Sequence, residues 1–229
     1  MLKTAICDLL GIKHPIIQGG MAHVATVELV SAVSNAGGLG VISPNAGMEG
    51  GGDPSENLRL QITKMRELTK KPFGINAPLN LEHSGMLIDL ILREKVEIVV
   101  TAAGDPHIFS EVLRAQGMKV LHVVSTVEQA QSAESSGVDA VIAEGSEAAA
   151  HHGFHGIPLF SLIPRVADAV SIPVIAAGDI VDSRGLVAAF ALGAEGVQTS
   201  AGLINEILPV TRVIQRLVEE YNKVIKKIS

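Results

Sequence analysis

The sequence predicts a single α/β domain over residues 1–229, folded as a (β/α)8 (TIM) barrel. Three observations predict it. Short runs rich in Val, Ile and Ala alternate strictly with longer segments of helical period. No Pro/Ser-rich linker, charge block or low-complexity segment interrupts that alternation. The phrases "GVDAVIAEG" and "GAEGVQTS" share one Gly-x-x-x-Val pattern at a strand entry, which suits a barrel built from repeated units.

Eight strands are predicted from the apolar runs. They cover residues 14–18, 40–43, 72–76, 98–102, 119–124, 140–143, 173–177 and 196–199. Because most of these runs are near-continuous in Val, Ile and Ala, we expect strands that are buried on both faces, as in a parallel sheet.

Eight helices are predicted between and after the strands. They cover residues 27–36, 56–69, 86–94, 108–116, 127–136, 160–170, 183–192 and 203–228. Several helix starts are marked by polar caps and several helix ends by glycine. The caps are Asp53, Asp105 and Thr126, and the glycines are Gly37, Gly117, Gly137 and Gly193.

Strict alternation allows either an open doubly wound sheet or a closed barrel. The first strand is followed by Gly19-Gly20-Met21, which does not open the Gly-x-Gly-x-x-Gly loop of a dinucleotide-binding sheet. The sequence therefore favours the barrel.

Composition narrows the class of protein. The net charge is −6 and the Lys and Arg residues are scattered, which argues against nucleic acid or an anionic membrane as the main partner. Cys7 is the single cysteine, which excludes an intrachain disulfide and fits a reducing cytoplasm. The N-terminus shows no signal-peptide pattern, and no segment has the length of an apolar membrane span. We expect a cytoplasmic enzyme that acts on a small molecule, or a relic of such an enzyme.

A polar side chain stands at or just after the end of almost every predicted strand. These residues are Gln18, Asn45, Asn76, Thr101, His122, Glu144, Asp179 and Gln198. Catalytic groups in (β/α)8 barrels project from the carboxyl ends of the strands, so we expect a polar pocket there. The loops after strands seven and eight commonly hold a phosphate in this fold. Asp179 in the first of these loops would repel a phosphate, unless it caps the following helix.

Several long motifs identify a family. "HPIIQGGMA", "AVSNAGGLGVIS", "KPFGIN", "DAVIAEGSEAAAHHG" and "IPVIAAGDIVDSRGLVAAFALGAEGVQ" occur in this order. With them the chain resembles the nitronate monooxygenase (formerly 2-nitropropane dioxygenase) family, and is similar to its close relative, the FMN-dependent enoyl-acyl-carrier-protein reductase. The resemblance runs from about residue 2 to residue 198 and resumes from about residue 201.

The resemblance implies a TIM barrel that holds FMN without a covalent link at the strand ends. It places His151 beside the flavin as the candidate catalytic base or orienting group, a task that suits imidazole. The residues that it implies around the cofactor are Gly20, Met21, Ala22, Asn76, Glu144, Ala149, Ala150, Gly178, Asp179, Gln198, Thr199 and Ser200.

Three departures from the family pattern fall in the implied cofactor loops. Ala149-Ala150 stand where the family has two glycines, Asp179 replaces a third, and Thr199-Ser200-Ala201 replaces Met-Gly-Thr. The chain also passes directly from Ser200 to "AGLINEILPV", where the family has a long, largely helical lid segment. We therefore expect a minimal barrel whose apolar mouth is either exposed or covered by self-association.

Other roles for single residues stay open at this point. His151, His152, His155 and Glu147 fit no zinc signature, so no metal site is predicted. Glu144 and Glu147 could act as a paired acid and base, although separate roles as flavin neighbour and loop anchor fit better. His122 could line the pocket or lie hydrogen-bonded in the core.

Three functions follow from these observations. The first is oxidation of alkyl nitronates with O2 on FMN. The second is NAD(P)H-dependent reduction of an enoyl thioester on the same flavin. The third is a barrel scaffold, engineered or degenerate, that binds flavin weakly or not at all and has no activity. Because the lid would carry much of the substrate specificity, the sequence does not separate the first two.

Overall fold

A closed barrel of eight parallel strands forms the centre of the molecule, in a computed structural model that describes residues 3–48, 52–81, 83–148, 156–199 and 208–228. Each strand pairs with the next along the chain, and the last strand pairs with the first. Helices alternate with the strands. The predicted (β/α)8 barrel is therefore confirmed.

The strands lie within two residues of their predicted bounds. They are β1 (Ile16–Gln18), β2 (Leu39–Ile42), β3 (Phe73–Pro78), β4 (Ile98–Ala102), β5 (Lys119–Val124), β6 (Ala140–Glu144), β7 (Val174–Ala177) and β8 (Gly196–Thr199). All their residues are buried or half-buried, as expected of strands that are covered by helices on the outside.

Most helices begin within two residues of the predicted bounds, but the last predicted helix (203–228) begins only at Val210, since residues 208 and 209 are not helical. They are α1 (Ala5–Leu10), α2 (Val27–Asn35), α3 (Pro54–Leu68), α4 (Ser84–Glu94), α5 (Ser110–Ala115), α6 (Val127–Ser135), α7 (Leu159–Ala167), α8 (Ser183–Ala191) and α9 (Val210–Ile228). The carboxylate of Asp53 accepts from the Ser55 N–H at 2.9 Å, and the Thr126 hydroxyl accepts from the Gln129 N–H at 3.2 Å. The predicted fourth helix is split, because a 3-10 turn (Pro106–Ile108) precedes α5.

Helix α1 was missed by the sequence reasoning. It has only six residues, too few to show a helical period. Its side chains Ile6 and Leu10 join a buried cluster with Ile17 and Leu39 of the strands. This helix therefore closes the amino-terminal end of the barrel.

Two apolar layers surround the strands, one inside the barrel and one between the strands and the helices. The interior layer contains Val41, Val100, Leu121, Ile142 and Ile175, among others. The outer layer contains the residues next to them in sequence, because successive side chains of a strand point to opposite faces. This alternation decides which polar strand-end residues can face the mouth.

Helix α2 lies directly on β2 at Gly40. A β-carbon added there would come within 2.2 Å of the Val30 carbonyl oxygen. Glycine is required at this position because only a residue without a side chain permits the approach of helix backbone to strand backbone.

Residues 200–209 alone connect β8 to α9, which packs against α8 and α2. A connection of this length is too short to hold the long segment that the family resemblance implies, so the barrel is minimal, as predicted. None of the helices in the described part of the chain is long and apolar enough to cross a membrane.

Candidate functional site

Three predicted polar residues face the carboxyl-terminal mouth of the barrel. Ile75 and Ala77 belong to the outer layer, so Asn76 between them points inward, and Val197 places Gln198 inward in the same way. Glu144 follows Ala143, another outer-layer residue. All three side chains are half-buried. The structure thus brings β3, β6 and β8 together at one polar surface, although they are far apart in sequence.

The backbone of Gly19 and Gly20 lies against two of these side chains. A β-carbon built on Gly19 would meet the Gln198 Cδ at 2.9 Å, and one built on Gly20 would meet the Asn76 Cβ at 2.5 Å. Any larger residue would push the amides out of place. The two amides and the glycine backbone therefore form a compact polar wall with hydrogen-bond donors and acceptors.

Three other strand-end residues do not face the mouth, so the prediction of one polar face from all the strands is wrong in part. Gln18, Thr101 and His122 are buried on the outer face of the barrel. The Gln18 Nε2 donates to the Val41 carbonyl at 3.3 Å. Alternation explains the error, since a shift of one residue moves a side chain to the opposite face. Asn45, another of the predicted strand-end residues, lies half-buried in the loop after β2.

His122 is a buried core histidine, which was one of the two roles left open for it. Its Nδ1 lies 2.8 Å from the Thr101 hydroxyl, which donates to the Leu121 carbonyl at 3.2 Å. Burial lowers the pKa of His122 to about 4, and the nearby Asp105 carboxylate opposes this shift only partly. A neutral, internally hydrogen-bonded imidazole does not serve as a base at the mouth.

The start of the loop after β6 is anchored by Glu147. Its two carboxylate oxygens accept from the Leu159 N–H, at 3.0 and 2.9 Å, at the beginning of α7. The Ser146 N–H donates to the Ile157 carbonyl at 2.9 Å, which closes the same loop. The role of loop anchor is therefore confirmed for Glu147, and the paired role with Glu144 loses its support.

The loop after β7 has the backbone of a glycine loop but carries a carboxylate. Gly178 has φ 143° and Asp179 has φ 42°, both in the region that favours glycine. Asp179 is exposed. The α8 cap is instead Asp182, whose carboxylate accepts from the Arg184 N–H at 2.8 Å and the Gly185 N–H at 3.2 Å. The alternative that Asp179 caps the following helix is wrong.

Asp182 is also paired with a cation. The Arg184 guanidinium lies 2.5 Å from its carboxylate, and this hydrogen bond, with the backbone N–H groups, holds the pKa of Asp182 below its usual range. Arg184 is thereby committed to Asp182, not to Asp179.

Several predicted residues lie outside the part of the chain that the structure describes. These are Ala149, Ala150, His151, His152, His155 and Ser200. Met21 and Ala22 follow Gly20 in the loop after β1, and Thr199 donates through its hydroxyl to the Ile17 carbonyl at 3.3 Å. Among the described residues, no three His, Cys, Asp or Glu side chains are grouped as a metal would require.

His23 was missed by the sequence reasoning. It lies three residues after Gly20, is exposed, and has a left-handed backbone with φ 66°. Its Nδ1 is 3.1 Å from the Met48 carbonyl oxygen, which can only accept, so Nδ1 carries the proton in the neutral ring. This leaves the lone pair on Nε2. The only sequence signal was its position beside "GGMA".

Large apolar side chains are concentrated on the rim of the mouth. Eight of the ten exposed large hydrophobic residues found among the described residues lie in loops after strands or in the first turns of the following helices. They are Val24, Leu81, Met86, Ile108, Val112, Phe160, Val181 and Val213. Phe160 is the most exposed, at 71%. These exposed side chains lie at the end of the barrel where the sequence predicts uncovered apolar surface.

Comparison with known proteins places these features in context. The family model described as nitronate monooxygenase matches residues 3–85 and 79–207. A probable nitronate monooxygenase of Staphylococcus saprophyticus is 36% identical over 248 residues, covering 89% of this chain and 68% of that protein. The (3aS,4S,5R,7aS)-5-hydroxy-7a-methyl-1-oxo-octahydro-1H-indene-4-carboxyl-CoA dehydrogenase of Rhodococcus jostii is 40% identical over 196 residues, covering 86% of this chain and 53% of that protein.

Among solved structures, FabK from Thermotoga maritima superposes with a TM-score of 0.92 at 31% identity, covering 100% of this chain and 99% of that one. A nitroalkane oxidase from Streptomyces ansochromogenes superposes with a TM-score of 0.74 at 29% identity, covering 86% of this chain and 67% of that one. The chain spans about half the length of the Rhodococcus relative and about two thirds of the staphylococcal one.

Proposed function

Because the chain belongs to the nitronate monooxygenase family, we propose that it is a flavin-dependent oxidoreductase that holds FMN at the carboxyl-terminal mouth of its barrel. The observation that carries the proposal is the packing of the Asn76 and Gln198 amides against the Gly19-Gly20 backbone. Amide groups present both donors and acceptors, which match the N–H and C=O edge of an isoalloxazine ring.

Each part of the mouth has a role in this proposal. The backbone of Gly20, Met21 and Ala22 and the side chains of Asn76 and Gln198 would hold and orient the ring. Glu144 would stand beside it. The Gly178 loop would offer backbone N–H groups to the phosphate, as loops at this place do in other barrels. When bound, FMN supplies two-electron chemistry that no side chain provides.

His151 is proposed as the residue that moves the proton. An imidazole near neutral pH can take a proton from a substrate carbon or return one to it. The role rests on the family resemblance, since this residue lies outside the described part of the chain.

The first proposed reaction is the oxidation of alkyl nitronates with O2. The family description and the staphylococcal relative favour it. Reduction of an enoyl thioester with NAD(P)H is the second candidate. It is favoured by the likeness to FabK over the full length of both chains and by a relative named for a carboxyl-CoA substrate.

We also propose that two copies associate through their rims in the cytoplasm. The support for association is the concentration of exposed apolar side chains at the mouth, which contact with a second copy would bury. The support for the location is the single, buried, free cysteine.

A flavin titration tests the proposed function. Purified protein should bind FMN, with absorbance near ~450 nm and quenched flavin fluorescence. Asn76→Ala should weaken flavin binding about tenfold, because it removes one amide hydrogen-bonding group. Asn35→Ala is the matched control: this amide bonds Thr69 and the Leu68 carbonyl at the other end of the barrel, so it should leave flavin affinity unchanged.

Loaded protein then separates the two reactions. Anaerobic mixing with an alkyl nitronate should bleach the flavin if the first reaction is correct, and mixing with NADH or NADPH should bleach it if the second is. Protein that binds no flavin at all would leave only the inactive scaffold.

A further inference from the structure

We propose that Asp179 opposes the 5′-phosphate of FMN, so that this chain discriminates little between FMN and riboflavin. The inference rests on the proposed function, because it concerns the same flavin site. Riboflavin has the ring and the ribityl chain of FMN but no phosphate, so it isolates the charge effect.

The position of Asp179 is the first support. It follows Gly178, directly after β7, at the place where (β/α)8 barrels commonly bind phosphate groups. A β-carbon on Gly178 would lie 3.6 Å from the Ala148 backbone N and 3.7 Å from the Gly145 backbone N. The loop after β7 therefore lies against the loop after β6, within the mouth.

The conformation of the loop is the second support. Gly178 and Asp179 both have a positive φ, a backbone region that glycine adopts more readily than other residues. An aspartate with φ 42° occupies a backbone conformation that glycine adopts without strain. The loop thus keeps a glycine-type backbone at a position where the side chain carries a carboxylate.

Charge is the third support. The Asp179 side chain is exposed, and it forms no hydrogen bond or ion pair with the described residues. The nearest cation along the chain, Arg184, is paired with Asp182. A carboxylate to which the described residues give no partner repels a phosphate dianion, and because Asp179 is exposed, added salt screens that repulsion.

Paired titrations with FMN and riboflavin, followed by flavin fluorescence, test the inference. Wild-type protein should bind FMN no more than about tenfold more tightly than riboflavin, and raising the salt concentration should strengthen FMN binding. Asp179→Asn keeps the shape of the side chain and removes its charge. It should raise FMN affinity about tenfold or more and leave riboflavin affinity within about twofold.

Two further variants isolate the charge. Asp179→Gly also removes the backbone strain at this position, and any effect of that strain should change the affinities for both flavins equally. Asp89→Asn removes one charge from an exposed position on α4 and should change neither affinity.

The outcomes are distinct. If Asp179→Asn raised the affinities for FMN and riboflavin equally, the residue would act through the geometry of the loop, and the inference would be overturned. An unchanged FMN affinity would also overturn it, while leaving the proposed function intact. If wild-type protein and both Asp179 variants bind neither flavin, the proposed function fails together with the inference.

Discussion

The two ends of the barrel differ in what fills them. At the amino-terminal end, Ile6 and Leu10 of α1 pack onto Ile17 and Leu39, and this apolar cluster is almost completely buried. At the carboxyl-terminal end, half-buried amides and a carboxylate face the opening, and apolar side chains stand exposed around it. We therefore expect substitutions of α1 side chains to change stability and substitutions of mouth side chains to change binding.

The largest effect on this contrast should come from Ile6→Ala. The side chain is fully buried, so its truncation leaves a cavity and should lower the free energy of unfolding by about 2–4 kcal/mol, measured by urea denaturation. Flavin affinity should not change.

Val24→Ala is the control at the opposite end. Val24 is 53% exposed on the rim, and its truncation should cost less than about 0.5 kcal/mol. If Ile6→Ala and Val24→Ala lowered the unfolding free energy by similar amounts, the two ends of the barrel would not differ in their contribution to stability.

The pH dependence of the unfolding free energy tests a third region, the buried layer that contains His122. The pKa of His122 is lowered to about 4 by burial, from an ordinary value of 6.5. Between these values the unfolded chain takes up a proton that the folded protein does not. The free energy of unfolding should therefore fall as the pH falls from 6.5 to 4, by about 3 kcal/mol in total, and this loss is absent above pH 6.5.

His122→Gln isolates this contribution, since an amide cannot titrate and can still bond Thr101. The unfolding free energy of the variant should still fall somewhat as the pH falls, because burial and, to a lesser extent, Lys13 lower the pKa of His14 as well. Identical slopes in wild type and variant would show that His122 titrates normally in the folded protein.

The smallest effect on stability should come from Phe160→Ser on the rim. Phe160 is 71% exposed, so the change in unfolding free energy should stay within about 0.5 kcal/mol. Self-association should weaken, as measured by sedimentation velocity, and binding of a hydrophobic dye should decrease. Leu68→Ser, at an exposed position at the end of α3, should change neither. A wild-type protein that is monomeric and binds no dye would contradict the proposed association.

Periodicity was enough to predict the strands and most helices, because an apolar run of four or more residues has few alternatives in an alternating chain. It was not enough for α1, whose six residues are a helix through their contacts with Ile17 and Leu39. Nor could it assign faces at strand ends. Thr101 and Asn76 look alike in sequence, yet one points outward and the other inward, because register within the barrel is set by pairing across strands.

The site was predicted to the extent that family motifs reach it. Asn76 and Gln198 were named both as polar strand-end residues and from the resemblance, and the structure brings both against the glycines of the first loop. His23 has no motif, and its placement depends on a contact with Met48 in another loop. The anchoring of Glu147 to Leu159 likewise needs the folded path of the chain.

The contact of β2 with α2 at Gly40 has a mechanical consequence. Val30 lies one turn from the beginning of α2, and the residues before that helix are the Gly19–Thr26 segment at the mouth. Because the backbone of α2 contacts the backbone of β2 directly, no side chain lies between them that could change its rotamer to make room. A single methyl group at residue 40 would displace α2 away from β2, and the segment that carries Gly20 and His23 would move with the helix.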